Sequence, residues 1–184
     1  MTASLTEYFG NSTATFGLEG NVSSQVNAGV NPGATGADNV LAVYTLPANA
    51  FDQAGRLIEI QASGSFANNT HSKECKIIFN PATAVVGSTV GSGGTTIADT
   101  GAYTTTGACG WLLQATVAKY GAAGSNTQIA QETATIIAAT HGGIGVPIAA
   151  TAVESAPILI AVTGNAGTTA TDIALNLFSV NACN

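Results

Sequence analysis

The stretch from Val40 to Asn80 constrains this chain most, because it alternates apolar and polar residues too regularly for anything but paired strands. Between Arg56 and Phe66, the residues Ile58, Ile60, Ala62, Gly64 and Phe66 interleave with Leu57, Glu59, Gln61, Ser63 and Ser65. A period of two sends the first set toward a core and most of the second toward solvent. Ala67-Asn68-Asn69-Thr70-His71 then supplies small and turn-forming residues. From Lys73 to Phe79 the alternation resumes, with Cys75, Ile77 and Phe79 set against Glu74, Lys76 and Ile78. Two such runs joined by an Asn-Asn turn predict an antiparallel hairpin.

The rest of the chain repeats this texture. Strands are expected over 40–46, 84–90, 111–120, 127–138, 156–163 and 172–180, with 95–106 ambiguous and a Gly/Pro/Ala-rich crossing at 140–151. Charged residues make up only 8% of the chain, against about a quarter in an ordinary globular protein. Ala, Thr, Gly, Asn and Ser fill the space, a composition that disfavours long helices. About eight antiparallel strands with long connections predict an all-β, two-sheet sandwich, an eight-stranded jelly roll. Ile58, Ile60, Phe66, Ile77, Phe79 and Leu113 are expected to face inward.

Residues 1–38 read differently. Thr, Ser, Asn and Gly dominate, and strand periodicity is weak. Yet Leu5, Tyr8, Phe9, Phe16 and Leu18 are bulky apolar residues that a solvated linker has no use for. The expected organisation is an extended N-terminal arm, 1–38, and a jelly-roll domain, 39–184. Fully extended, the arm would reach about 125 Å, far beyond a body with a radius of gyration of about 16 Å. Its five apolar residues are the candidate partner contacts.

Charge excludes several functions. Four basic against ten acidic residues give a net charge of −6, so no basic patch is available to displace counterions from nucleic acid. Arg56, Lys73 and Lys76 lie in the hairpin among Asp52, Glu59 and Glu74, the pattern of a solvated sheet face. The tract 136–163 is interrupted by His141, Gly142, Gly143, Pro147, Glu154 and Pro157, which argues against a membrane span. The N-terminus shows no secretory signal. Cys75, Cys109 and Cys183 are odd in number and widely spaced, which predicts reduced thiols and no disulfide framework or zinc site.

Catalytic constellations are not found. Gly87 to Thr96 (GSTVGSGGTT) looks like a phosphate loop but lacks its lysine and a following helix. His141-Gly142-Gly143-Ile144-Gly145 resembles an esterase oxyanion strip without the Gly-x-Ser-x-Gly nucleophile it would serve. His71 and His141 have no second ligand at metal-binding spacing, and no carboxylate pair shares a strand face. The Asn-x-Ser/Thr sequons at Asn11, Asn21 and Asn68 follow from composition. Trp111, the sole tryptophan, reads as a core anchor, with a sugar-stacking platform as the minority reading. No catalytic, cofactor-binding or metal-ligating residues are assigned, and the chain is read as a non-enzyme.

About a quarter of the chain, within Gly36 to Asn80, resembles structural proteins of tailed bacteriophages. The resembling runs are Asn39 to Phe51 (NVLAVYTLPANAF), Gly55 to Ala67 (GRLIEIQASGSFA) and Lys76 to Phe79 (KIIF). Similar runs occur in capsid decoration (cement) proteins and in fibre or baseplate β-sandwiches. The resemblance implies a virion β-sandwich without catalytic residues or cofactors. The absent signal and unpaired cysteines fit assembly in reducing host cytoplasm, and the expected place is the outer capsid surface. The partners implied are the major capsid protein and sister copies in a dimer or trimer, with neither nucleic acid nor membrane. The charge-poor surface suits that role, since it costs little to desolvate against repeated neighbours. The alternative is a tail-fibre or baseplate module binding a host-surface glycan. An exposed aromatic platform would favour that alternative and a covered Trp111 would weaken it.

Overall fold

The computed structural model describes residues 20–30, 35–105, 107, 109–136 and 142–183. Alternating sequence becomes alternating burial. In β3 (Leu57–Phe66) and β7 (Cys109–Lys119) every second side chain is buried over most of the length. These two strands pair antiparallel in unbroken register from Leu57 opposite Ala118 to Phe66 opposite Cys109. The six residues expected inward are all inside, none more than 3% exposed. Each contributes about 1.5–3 kcal/mol through burial of apolar surface.

The remaining strands are β1 (Gly20–Val30), β2 (Asn39–Leu46), β4 (Asn69–Phe79), β5 (Thr95–Asp99), β6 (Tyr103–Thr105), β8 (Gln128–Ile136), β9 (Gly142–Ile144), β10 (Ile148–Ala149), β11 (Ile158–Ala166) and β12 (Ile173–Cys183). One sheet runs β1-β12-β3-β7-β8-β10, with β9 also on β8. The other runs β2-β11-β4-β5, with β6 also on β4. All strand pairs are antiparallel. The fold is an all-β two-sheet sandwich. Its central eight strands, β1-β12-β3-β7 facing β2-β11-β4-β5, have the order of a jelly roll, in which the chain passes repeatedly between sheets. One apolar cluster fills the interface, drawing Ile60, Phe66, Trp111, Leu113 and Phe178 from one sheet and Leu41, Ile77, Phe79, Ile97 and Ile160 from the other. Gly64 has a specific reason within β3. A Cβ there would lie 1.8 Å from the Ala174 carbonyl oxygen and 2.8 Å from the Trp111 ring, so only hydrogen fits.

Three expectations are corrected. The sheet begins inside the segment read as an arm: Gly20–Val30 pairs with β12 from Gly20 opposite Ala182 to Val30 opposite Leu175. Its Ser/Asn/Gly-rich sequence hides the strand because an edge position needs backbone pairing more than apolar alternation. The segment 84–90 is a loop and not a strand; only Thr89 forms a single bridge, to Asn39. Val85 and Val86 there are 63% and 52% exposed, and Gly87 turns the chain with φ of 83°. Within the crossing expected at 140–151, residues 142–149 return along the open edge of β8, pairing through β9 and β10. That extension brings the first sheet to seven strands, with β9 and β10 one after the other along one edge of β8.

Candidate functional site

The outer face of the seven-stranded sheet, the larger of the two sheets, is sorted into rows by its register. Asn181, Glu59, Thr116 and Gln131 stand opposite one another across β12, β3, β7 and β8. The next row is Ser179, Gln61, Gln114 and Thr133. Between them runs a groove of about 230 Å³ lined by Glu59, Gln61, Gln114, Thr116, Gln131 and Thr133 among others. Its side chains are amides and hydroxyls with one carboxylate. Such groups both donate and accept hydrogen bonds and need little desolvation energy. On the other side of the Glu59 row, Cys183, Leu57, Ala118 and Ile129 form an apolar row across the same four strands. Tyr120, 63% exposed, continues it beyond β7. Gly20 pairs with Ala182, the neighbour of Cys183, so the chain enters the sheet beside this apolar row.

The candidate contact residues Leu5, Tyr8, Phe9, Phe16 and Leu18 lie outside the described residues. So does His141 of the Gly-rich crossing. Trp111 is 2% exposed and stacks on Phe66 with ring centroids 6.2 Å apart, so it is a core residue and offers no platform to a sugar. Cys75 and Cys109 are buried, Cys183 is half-buried, and all three are thiols. Burial, reinforced by the charges of Asp99, Glu74 and Asp38, pushes the Cys75 thiol well above its ordinary pKa. Its inert packing follows.

The basic residues depart from the solvated face expected of them. Arg56 is 5% exposed and its Nε donates to Asp52 at 2.8 Å. Lys73 is fully buried, and its Nζ donates to the carbonyls of Asn69 and His71 at 3.1 and 2.8 Å. Lys76 bridges Glu74 and Asp38 at 2.8 and 3.1 Å. Burial alone would lower its pKa, but hydrogen bonds to Glu74 and Asp38 and their charges raise it on balance.

Two polar nodes sit at opposite ends of β3. Near Phe66, the buried Asp172 of the 3-10 turn Ala170–Asp172 accepts from Asn69 at 2.7 Å and lies 2.6 Å from Nδ1 of His71. Burial raises the Asp172 carboxyl; the hydrogen bonds from Asn69 and His71, with the charges of His71 and Lys73, outweigh it and leave the pKa below the ordinary value. Near Leu57, Lys119 on the inward-facing side of β7 meets Glu154 from the loop before β11, with side chains 0% and 3% exposed. Gln128, opposite Lys119 on β8, donates to the same carboxylate at 2.7 Å. Neither pairing follows from sequence. His71 and Asp172 are 101 residues apart, Lys119 and Glu154 35 apart, and a lone charge reads as solvated until its partner is seen. Among the described residues, no three His, Cys, Asp or Glu side chains gather as a metal site. No known protein family, curated protein or solved structure matches this chain.

Proposed function

We propose that the protein is a non-enzymatic capsid decoration protein of a tailed bacteriophage, holding the outer shell together by spanning joints between major capsid protein subunits and sister copies. The observation that carries this reading is the outer face of the seven-stranded sheet. Four strands present rows of amides and hydroxyls beside an apolar row ending in Tyr120. A face of that kind costs little to bury against a repeated neighbour, because few charges lose their water. Residues 1–19, with Leu5, Tyr8, Phe9, Phe16 and Leu18, precede Gly20 in sequence, and Gly20 pairs with Ala182 beside the apolar row of this face. Contacts from both would converge on one partner surface. Burying all five apolar residues contributes on the order of 10 kcal/mol before the cost of ordering the segment. Multiple copies on one shell multiply a modest contact into stable attachment.

The test is the position of the chain on purified phage particles, read by electron microscopy with an antibody against the sandwich. Labelling spread over the heads is expected. Labelling confined to tails would transfer the protein to the fibre or baseplate, and absence from particles would end the virion reading. On heads, replacing Tyr8, Phe9 and Phe16 together with Ser should weaken binding at least tenfold. The glycan-binding alternative keeps the polar groove as a supporting feature and is weakened because Trp111 is covered.

A further inference from the structure

The Lys119–Glu154 node is more elaborate than a buried ion pair requires. Nζ of Lys119 donates to Glu154 Oε1, to Ser125 Oγ at 2.7 Å and to Thr127 Oγ1 at 3.2 Å. Ser125 Oγ is itself turned by donating to the Ala122 carbonyl at 2.6 Å, which leaves its lone pairs facing the amine. Both carboxylate oxygens are held. Oε1 also accepts from Gln128 Nε2 at 2.7 Å, and Oε2 accepts from the Gly124 backbone at 2.9 Å. The backbones are fixed as well. Lys119 exchanges hydrogen bonds with Arg56 and Gly55 at 2.8 and 2.9 Å. Glu154 donates to Asn126 Oδ1 at 3.0 Å and accepts from the Asn49 amide at 2.7 Å. The result is an amine and a carboxyl carbon locked together, out of water, with donors aimed at both carboxyl oxygens.

We propose that Lys119 and Glu154 react to form an intramolecular isopeptide bond tying the end of β7 to the loop before β11. The ammonium first passes a proton to the carboxylate, giving a neutral amine and a carboxylic acid. Nζ then adds to Cδ of Glu154. The oxygen that gains charge in the tetrahedral intermediate is stabilised by Gln128 Nε2 or the Gly124 N–H, as in an oxyanion hole. Ser125 and Thr127 orient the amine by accepting its hydrogen bonds, and the second amine proton passes to the Glu154 hydroxyl that departs. The Cδ–OH bond breaks, and one water leaves. The Nζ–Cδ bond forms and the Cδ–O bond breaks without change of oxidation state, so no oxidant or reductant is needed. Enforced proximity replaces activation. The product also removes two charges whose burial is costly. Gln128 is the orienting and polarising group; the acyl carbon belongs to Glu154, because Glu154 and not Gln128 holds the amine.

This inference stands apart from any role on a capsid. It is tested by intact-mass spectrometry of the full chain, unfolded and reduced, with allowance for removal of the initiator Met. The expected mass is one water below that of the sequence, and peptide mapping should join the segment holding Lys119 to the one holding Glu154. Lys119→Arg keeps the charge but has no competent nucleophile, and should restore the full mass and abolish the joined peptide. An unmodified wild-type mass overturns the proposal. So does loss of ammonia, which would place the acyl carbon on Gln128, or loss of water without the mapped link. The wild-type measurement decides the matter even if the variant does not fold.

Discussion

Ile60 stands where β3 crosses the middle of the core, 1% exposed and opposite Ala115 and Val180. Its replacement by Ala removes buried branched carbon and leaves a cavity that neighbouring strands cannot collapse into. Ile60→Ala should cost roughly 2–5 kcal/mol in denaturant unfolding; a loss below about half a kcal/mol would put Ile60 outside the core. Asp172 carries the clearest pH dependence. Its folded pKa lies below the ordinary Asp value, so its stabilising effect is complete above about pH 4, where the unfolded chain is also ionised. As pH falls from there through the lower folded value, the unfolded chain binds the proton first and stability declines. Urea unfolding at pH 5 and pH 3 should show a smaller loss in Asp172→Asn than in the natural protein. Equal losses would mean that this carboxylate is not linked to acid unfolding.

Among elements, β1 makes the sharpest distinction between attachment and folding. Deleting residues 1–19 leaves every described strand in place and should move the thermal transition by no more than about 2–4 °C, the equivalent of about 1 kcal/mol. Deleting 1–38 also removes the partner of β12 and bares its edge, and should lower the transition by more than about 5 °C. A shortened chain without 1–38 that melts with the natural protein would show that β1 adds nothing to the body. The strands legible in sequence are those with one wet and one dry face, β3 and β7 above all, because period-two burial writes itself into composition. Val85 and Val86 mislead for the converse reason, since apolar character is present there without a core to receive it. β1 is illegible because its pairing is carried by backbone groups, which every residue possesses. The outer-face rows emerge only from register, and the two polar nodes only from tertiary approach between charges far apart in the chain.

For the molecule as a whole, the four cationic residues have a consequence beyond electrostatics. Arg56, Lys73 and Lys119 are at most 5% exposed, and the Lys76 side chain is 18% exposed within a bridging pair. These are also the only Lys or Arg residues in the chain, and hence the only bonds trypsin recognises. Each lies in a strand or tight turn whose backbone is engaged, so cleavage requires extensive opening. The native protein should survive trypsin for hours under conditions that digest it within minutes in denaturant, as gel electrophoresis would show. Early nicking at Lys76 alone would reveal local opening of β4. A surface that hides every tryptic site lets the fold persist in protease-rich surroundings without a disulfide to defend it.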